Sequence, residues 1–360
     1  MFKLAGIIFC GALVFLAGCA TQPDEPLPAN WSAPNVDQTA QNPPQWKPIP
    51  PPVKTNLPPV KIVKAAPVYT WTSLDRWAAE QKFSSLEKLA NSPVTTYSVS
   101  SQNGVMVLEI GGREAMWNGV EINLGFAPEF IDGQVFVHGL DLQKNLEPLL
   151  LGEPLEFPAT NRVIVIDPGH GGMNSGTICV LDGRPEKEFT LDLARRLKPL
   201  LEAGGWRVFL TRTNDTDISL SNRVAFAEAH HADCFISLHF NSAAPDKKQS
   251  GLETYCLTPT GMPSTLTRGY ADPLIENLPN NAFDAQNLQF AVRLQNSILH
   301  ASGEADRGVR RARFIGVLRG QKRPAILIEG GYLSNPAEAE KIENPEFRQK
   351  LAEAVAAALK

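Results

Sequence analysis

A proline-rich stretch between residues 21 and 67 limits most strongly what this chain can fold into. Thirteen of its 47 residues are proline and none is glycine. Proline lacks the N–H donor that helices and sheet interiors need and fixes the backbone angle φ, so the stretch is typical of an extended linker. We predict a linker over residues 19–68, with a reach on the order of 100 Å at ~3 Å per residue. A proline-rich ligand for a partner domain is the alternative interpretation.

Residues 1–18 are predicted to be a signal peptide. Lys3 is the only charge before the apolar run 4–18, which is too short to span a bilayer comfortably. The Leu-Ala-Gly-Cys sequence that ends at Cys19 resembles a bacterial lipobox. This resemblance implies cleavage before Cys19, lipid on its sulfur and, because Ala20 rather than aspartate follows, sorting to the outer membrane. We therefore expect a periplasmic protein anchored to the membrane by an N-terminal lipid.

The composition excludes two broad classes of protein. With 34 lysine and arginine residues against 38 aspartate and glutamate residues, the net charge is −4, so we expect no nucleic-acid partner. A single long apolar run excludes a polytopic membrane protein. Three cysteines remain beyond Cys19 and allow at most one disulfide, whose pairing the sequence leaves open: Cys179, Cys234 and Cys256. Burial as small apolar side chains is the favoured interpretation.

Residues 69–152 are predicted to form a small, mainly β domain. A short capped helix is expected at 73–80, and β-rich runs separated by Asn-Gly, Gly-Gly and Asp-Gly pairs follow it. The stretch 127–137 is similar to the small β domain called copper-amine-oxidase N-terminal-like. The resemblance implies no copper and no oxidase chemistry, but a spacer or wall-binding module of a kind common beside cell-wall enzymes.

Residues 160–360 alternate between strand and helix patterns, as α/β proteins do. Apolar runs predict buried strands at residues 162–166, 234–238 and 325–328. Asn344 is placed to cap a final helix, with Pro345 at its first position. We predict an α/β fold in which helices flank a mixed sheet, preceded by the small mainly β domain.

Three polar residues at the ends of these elements predict a metal site. His170 follows the first strand in the tight turn Asp-Pro-Gly-His-Gly-Gly, Glu186 begins a helix, and His239 follows another buried strand. Open α/β sheets place their sites at the carboxyl ends of strands, so we expect the three side chains to converge. Two imidazoles and one carboxylate with an open fourth position are typical of catalytic zinc. Asp167 is interpreted as orienting this loop from behind rather than binding Zn²⁺.

Glu329 is the predicted general base. It follows four apolar strand residues, where a carboxylate is costly unless it is used or paired. Two glycines behind it let other groups approach closely. A carboxylate there could take a proton from metal-bound water and deliver it to a leaving amine.

Residues 162–360 resemble the zinc N-acetylmuramoyl-L-alanine amidases of the amidase 3 family. The matching segments include 167–172, 186–187, 237–241, 251–255, 306–309 and the strand that ends at Glu329. The resemblance implies zinc on His170, Glu186 and His239, with Glu329 catalytic. It also implies peptidoglycan as substrate, cleaved at the amide between the N-acetylmuramic acid lactyl group and L-alanine of the stem peptide.

Two further residues are predicted to contact the substrate. Asn241 is placed to hydrogen-bond it, although closing a loop is the alternative. In the basic stretch 307–323, Arg310, Arg311 or Arg313 could line the groove and meet stem-peptide carboxylates, and a solvated basic face is the alternative. Arg310 is the residue we select.

Two departures from the family pattern concern regulation of the predicted enzyme. Asn174 stands where many family members carry an acidic residue, and no acidic amphipathic helix between His239 and Glu329 is evident that could plug the site. We include an activator protein among the candidate partners. The competing hypotheses are a non-catalytic peptidoglycan-binding adaptor of the same fold and an amidase acting on another muropeptide bond.

Overall fold

A computed structural model describes residues 70–92, 94–267 and 272–360 of the protein. The predicted signal peptide, the lipidation site Cys19 and the proline-rich linker lie outside these residues. Among the helices that the structure describes, none is both long enough and apolar enough to cross a membrane.

The N-terminal part of the described chain consists of short strands followed by a helical segment. The strands are β1 (Trp71–Ser73), β2 (Glu87–Ala90), β3 (Thr96–Ser101), β4 (Gly104–Glu109), β5 (Glu114–Trp117), β6 (Val120–Asn123), β7 (Glu129–Ile131) and β8 (Gln134–His138). The helices are α1 (Leu74–Glu80), α2 (Gly139–Asp141) and α3 (Glu147–Leu150), with a π-helical turn at Leu142–Leu146. The predicted helix at 73–80 is confirmed, because the Ser73 hydroxyl accepts a hydrogen bond from the backbone N–H of Arg76.

The C-terminal part alternates between strands and helices. The strands are β9 (Val163–Pro168), β10 (Arg207–Leu210), β11 (Cys234–Asn241), β12 (Leu252–Cys256), β13 (Asp306–Arg311) and β14 (Ala325–Tyr332). The helices are α4 (Glu186–Ala203), α5 (Leu220–Ala229), α6 (Asp284–Ser302), α7 (Gly316–Arg319), α8 (Pro336–Glu343) and α9 (Pro345–Ala357), and a 3₁₀ turn at Pro279–Phe283 precedes α6. The Asn344 side chain caps α9 by accepting a hydrogen bond from the N–H of Glu346, as predicted.

In the described residues, eleven strands form one sheet in the order β10-β9-β11-β14-β12-β13-β6-β5-β4-β3-β2. Strands β10, β9, β11 and β14 are parallel, β12 is antiparallel to β14, and β13 is parallel to β12. Strands β6 to β2 form an antiparallel meander that continues the sheet where Ile122 pairs with Val309. The predicted class, a mixed α/β sheet flanked by helices, is confirmed. The boundary between a small domain and a catalytic domain stays a prediction.

Apolar side chains cover both faces of the central strands. On β9, Ile164 belongs to a buried cluster with Leu193 of α4, whereas the neighbouring Val165 belongs to a cluster with Phe226 of α5. Ile122 of β6 lies in the same cluster as Ile164, so the meander and the parallel strands share one core. The three described cysteines are buried and form no disulfide with one another: Cys179, Cys234 and Cys256.

Candidate metal centre and active site

Two parallel strands and one helix bring the three predicted metal ligands together. Strand β9 ends at Pro168, and the backbone N–H of Gly169 donates to the carbonyl of Leu238 on β11 at 3.0 Å. This bond holds the turn after β9 against β11, beside His239. His170 has a φ of 63°, which turns its side chain towards the same place.

The three side chains form a compact, buried cluster. The Nε2 atom of His170 lies 3.0 Å from Glu186 Oε2, and His239 Nδ1 lies 3.0 Å from Glu186 Oε1. The two imidazole nitrogens are 3.1 Å apart. Tetrahedral zinc with bonds of about 2.0–2.1 Å would separate its ligand atoms by roughly 3.3 Å. The donor atoms and their spacing therefore suit a divalent metal, and the cluster could hold one.

Two glycines let the backbone approach the cluster closely. A Cβ atom at Gly169 would lie 2.3 Å from Cε1 of His239. A Cβ atom at Gly176 would lie 2.5 Å from Glu186 Oε2, and the φ of 69° at this residue also disfavours a side chain. Any larger residue at either position would displace a predicted ligand.

Hydrogen bonds outside the cluster hold its members in place. The Glu186 carboxylate accepts from the backbone N–H groups of Thr177 and Phe240, each at 3.0 Å. The Nδ1 atom of His170 is 2.9 Å from the side-chain oxygen of Asn174, which orients the ring so that Nε2 faces the cluster. Burial acts to raise the pKa of Glu186, but His170 and His239 outweigh it and hold that pKa below its usual range.

Asp167 lies behind the cluster and does not belong to it. Its carboxylate is fully buried and accepts from Thr211, Arg223 and Ser237. Arg223 also donates to the backbone carbonyl of His170 at 2.7 Å. Asp167 therefore acts on the His170 loop through Arg223, which agrees with the predicted orienting function.

Glu329 lies next to the cluster on β14. In the sheet it pairs with His239 of β11 on one side and with Glu253 of β12 on the other. Glu329 is 3% exposed, and its Oε2 is buried without a hydrogen-bond partner among the described residues. Burial raises the pKa of Glu329 well above its usual value, and the negative charges of Glu186 and Glu253 raise it further.

Sequence reasoning missed Glu253, which is buried beside Glu329. Its carboxylate accepts hydrogen bonds from four side chains, namely Asn241, Tyr255, Arg307 and Tyr332. It also forms an ion pair with Arg310, whose Nε lies 3.4 Å from Oε2. The signal that singled out Glu329, a carboxylate after four apolar residues, is absent at Glu253, which follows Ser250, Gly251 and Leu252.

The two predicted substrate contacts meet at Glu253. Asn241 is buried and donates its amide to the Glu253 carboxylate, and its contact with substrate stays a prediction. The side chain of Arg310 is 25% exposed, and its contact with substrate also stays a prediction. The alternatives Arg311 and Arg313 are only 1% and 3% exposed, so they do not line a groove. They are held by buried polar partners, because a charged side chain is costly in the core without them.

Comparison with known proteins finds relatives for the C-terminal part of the chain. Residues 164–360 match the sequence model of the family described as N-acetylmuramoyl-L-alanine amidase. The chain is 30% identical over 243 residues to the N-acetylmuramoyl-L-alanine amidase AmiC of Escherichia coli O6:H1, covering 61% of this chain and 58% of AmiC. It is 33% identical over 202 residues to the N-acetylmuramoyl-L-alanine amidase LytC of Bacillus subtilis, covering 56% of this chain and 35% of LytC.

The chain is also similar to a solved structure. The N-acetylmuramoyl-L-alanine amidase from Clostridium difficile 630 is 30% identical, with a TM-score of 0.47, and the match covers 56% of this chain and 96% of that one. The matches to AmiC and LytC span only 58% and 35% of those relatives, so parts of them have no counterpart in the comparison.

Proposed function

The chain belongs to the amidase 3 family of N-acetylmuramoyl-L-alanine amidases, and we propose that it is a zinc-dependent peptidoglycan hydrolase. It would cleave the amide that joins the lactyl group of N-acetylmuramic acid to L-alanine of the stem peptide. The observation that carries this proposal is the position of Glu329. A buried carboxyl with an unpartnered oxygen lies one strand away from a His-Glu-His cluster that suits a metal ion.

Three side chains would hold the zinc ion: His170, Glu186 and His239. Zinc bound there supplies Lewis acidity, which polarises the amide carbonyl and makes a bound water more acidic. Both His170 and Glu186 are already fixed by outer hydrogen bonds, so little reorganisation accompanies metal binding.

Glu329 would move the proton during hydrolysis. In its ionised form, Glu329 would accept at Oε2 a proton from the attacking water as the oxygen of that water bonds to the amide carbon. The carbon–nitrogen bond then breaks, and Glu329 delivers the proton to the leaving nitrogen. The products are the lactyl carboxylate on the sugar and a stem peptide with a free amino group on L-alanine.

The partly exposed Arg310 would bind a carboxylate of the stem peptide beside this centre. It lies two strands from Glu329 in the order β14-β12-β13 and reaches back towards the site through Glu253. Asn241, which borders the same carboxylate, would form the second polar contact.

The proposed location is the periplasmic face of the outer membrane, with the lipid anchor on Cys19 and the linker over 19–68 providing reach. Residues 69–152 would act as a spacer or wall-binding module. This location is supported by the apolar run over residues 4–18 and by the Leu-Ala-Gly-Cys sequence that ends at Cys19. Cys19→Ser should move the protein from the membrane fraction to the soluble fraction, and unchanged membrane association would contradict a lipid anchor.

The test of activity is mass spectrometry of the products released from purified peptidoglycan by the full chain. We expect stem peptides that begin with L-alanine, no release after chelation, and recovery when zinc is added back. Release of fragments cut at another bond would identify a different amidase. Binding of zinc and peptidoglycan without any release would overturn the enzyme proposal in favour of an adaptor.

A further inference from the structure

A row of polar side chains crosses the sheet from the metal cluster to the N-terminal strands. It begins at His239 on β11 and continues through Glu329 on β14 and Glu253 on β12. Arg310 on β13 and Glu121 on β6 extend it. His239, Glu329 and Glu253 occupy paired positions, whose side chains point to the same face of the sheet. Ion pairs then link Glu253 to Arg310 and Arg310 to Glu121, so the row is a chain of contacts beside the predicted reaction centre.

Glu253 is the best-anchored member of this row. Its side chain is 2% exposed, and Tyr255 and Tyr332 donate to Oε1 at 3.1 and 3.3 Å. The second oxygen, Oε2, lies 3.4 Å from Nε of both Arg307 and Arg310. Arg307 donates a hydrogen bond to this oxygen, whereas Arg310 is attracted to it by charge. The three groups together carry one excess positive charge.

The outer edge of Arg310 is much less constrained than its Nε. Nε donates to the backbone carbonyl of Arg307 at 2.8 Å. On the outer edge, among the described residues, the ion-pair contact is Nη2 to Glu121 Oε1 at 3.8 Å, which is too long for a hydrogen bond. Both of these side chains are 25% exposed. The guanidinium is therefore held at Nε and partly exposed, so its Nη atoms can bind a planar anion.

Resting on the proposed function, we propose that Glu253 is a positioning residue that holds Arg310 in place to read a free carboxylate on the stem peptide. Glu121, contributed by the N-terminal strands, opposes this function because it weakly neutralises the same guanidinium. The site would therefore prefer stem peptides with free carboxylates over the same peptides with carboxamides. The N-terminal meander thereby contributes a residue to substrate selection.

Substituting each of the two glutamates that contact Arg310 separates a positioning effect from a simple change of charge. Removing any negative charge near an anion site should strengthen anion binding. Glu121→Gln should follow that rule and bind the carboxylate peptide about twofold to threefold more tightly. Glu253→Gln should do the opposite and lose about tenfold, because Arg310 loses the buried ion pair that holds its guanidinium beside the site. The expected changes have opposite signs although both substitutions remove one negative charge.

The experiment measures by calorimetry how tightly the full chain binds a free stem peptide and the same peptide in carboxamide form. Wild type should prefer the carboxylate peptide about tenfold, and Glu253→Gln should remove this preference. Tighter binding of the carboxylate peptide by Glu253→Gln, equal loss for both peptides, or no preference in wild type would overturn the proposal.

If Glu253→Gln does not fold, Arg310→Gln at the partly exposed position reports the same preference. Its loss supports the proposal, and its retention overturns it. Peptide release from peptidoglycan by wild type is measured separately. A chain that binds with the expected preference but releases nothing contradicts the proposed activity alone.

Discussion

The candidate metal cluster and the proposed catalytic carboxylate meet where His239 pairs with Glu329 on the neighbouring strand, yet their polar atoms have opposite surroundings. In the cluster, each oxygen of Glu186 accepts from a backbone N–H and lies 3.0 Å from an imidazole nitrogen. At Glu329, one oxygen is buried without a hydrogen-bond partner in the part of the chain that the structure describes. Burial acts to raise the pKa of both carboxyls. His170 and His239 reverse this effect at Glu186, whereas neighbouring carboxylates reinforce it at Glu329.

This difference would let neighbouring residues at the carboxyl ends of two central strands serve two functions, metal binding and proton transfer. An anion held by fixed donors and imidazoles is suited to a cation, whereas a carboxyl without donors binds a proton. Metal binding and proton transfer should therefore be separable by substitution, since different residues carry them.

The largest expected effect is the loss of both functions in His239→Ala. Removing one of three ligands should release zinc and lower peptide release by roughly a thousandfold or more, because the metal supplies several kcal/mol to the transition state. Zinc content per chain and the rate of peptide release are the measurements. His300→Ala, at an exposed histidine on α6, is the control and should change neither. Full zinc content in His239→Ala would refute the ligand assignment.

Glu329→Gln should separate the two functions. The amide preserves the shape of the side chain but cannot carry the proton, so turnover should fall by about 10²–10⁴-fold while the zinc content is unchanged. The matched control is Glu338→Gln, because Glu338 is also buried but accepts backbone N–H groups from Gly251 and Tyr332. That variant should lose stability and keep its turnover per folded molecule. Zinc loss in Glu329→Gln would show that the two functions are not separable.

Gly176→Ala should weaken the cluster without removing a ligand. Its Cβ would lie 2.5 Å from Glu186 Oε2, and we expect zinc affinity to fall by about 10–100-fold, as for other changes just outside a metal site. Gly183→Ala is a close control because Gly183 also has a positive φ, 78°, yet a Cβ there would meet no atom within 4 Å. Competition with a chelator measures both affinities, and equal losses would assign the effect to backbone strain.

The smallest expected effect is a pH dependence of stability in the metal-free protein. A raised pKa means that folded Glu329 keeps its proton above the pH at which the unfolded chain loses it. Its contribution is therefore fully present at low pH and is lost as pH rises towards the folded pKa, by at most about 1.4 kcal/mol per pH unit. The free energy of unfolding of Glu329→Gln minus that of wild type should grow as pH rises from about 4.5. A constant difference would contradict the raised pKa.

Long apolar runs made much of the C-terminal fold predictable. The runs at 162–166, 234–238 and 325–328 became β9, β11 and β14, which are buried on both faces and leave an unmistakable pattern. The short strands β2 and β5 were not predicted. Their sequences, Glu-Lys-Leu-Ala and Glu-Ala-Met-Trp, are too brief and too mixed to indicate a strand.

The residues of the candidate site also differ in how far the sequence could predict them. His170, Glu186, His239 and Glu329 could be selected because each polar residue directly follows or begins an element with a clear apolar pattern. The function of Glu253 could not be predicted in this way. Its partners come from β11, β12, β13 and β14, and their convergence depends on the order of strands in the sheet.

The sequence by itself determined which polar residues stand at the ends of buried strands. A buried strand requires an apolar run, and a polar residue next to such a run is costly unless it has a function or a partner. Only the tertiary structure decided that Glu253 faces Glu329, that Arg310 shares its carboxylate, and that β6 continues the sheet beyond β13. Strand order and register depend on packing between segments far apart in the chain. Local sequence patterns do not predict such contacts, since the contacts stabilise the protein only when the whole sheet has formed.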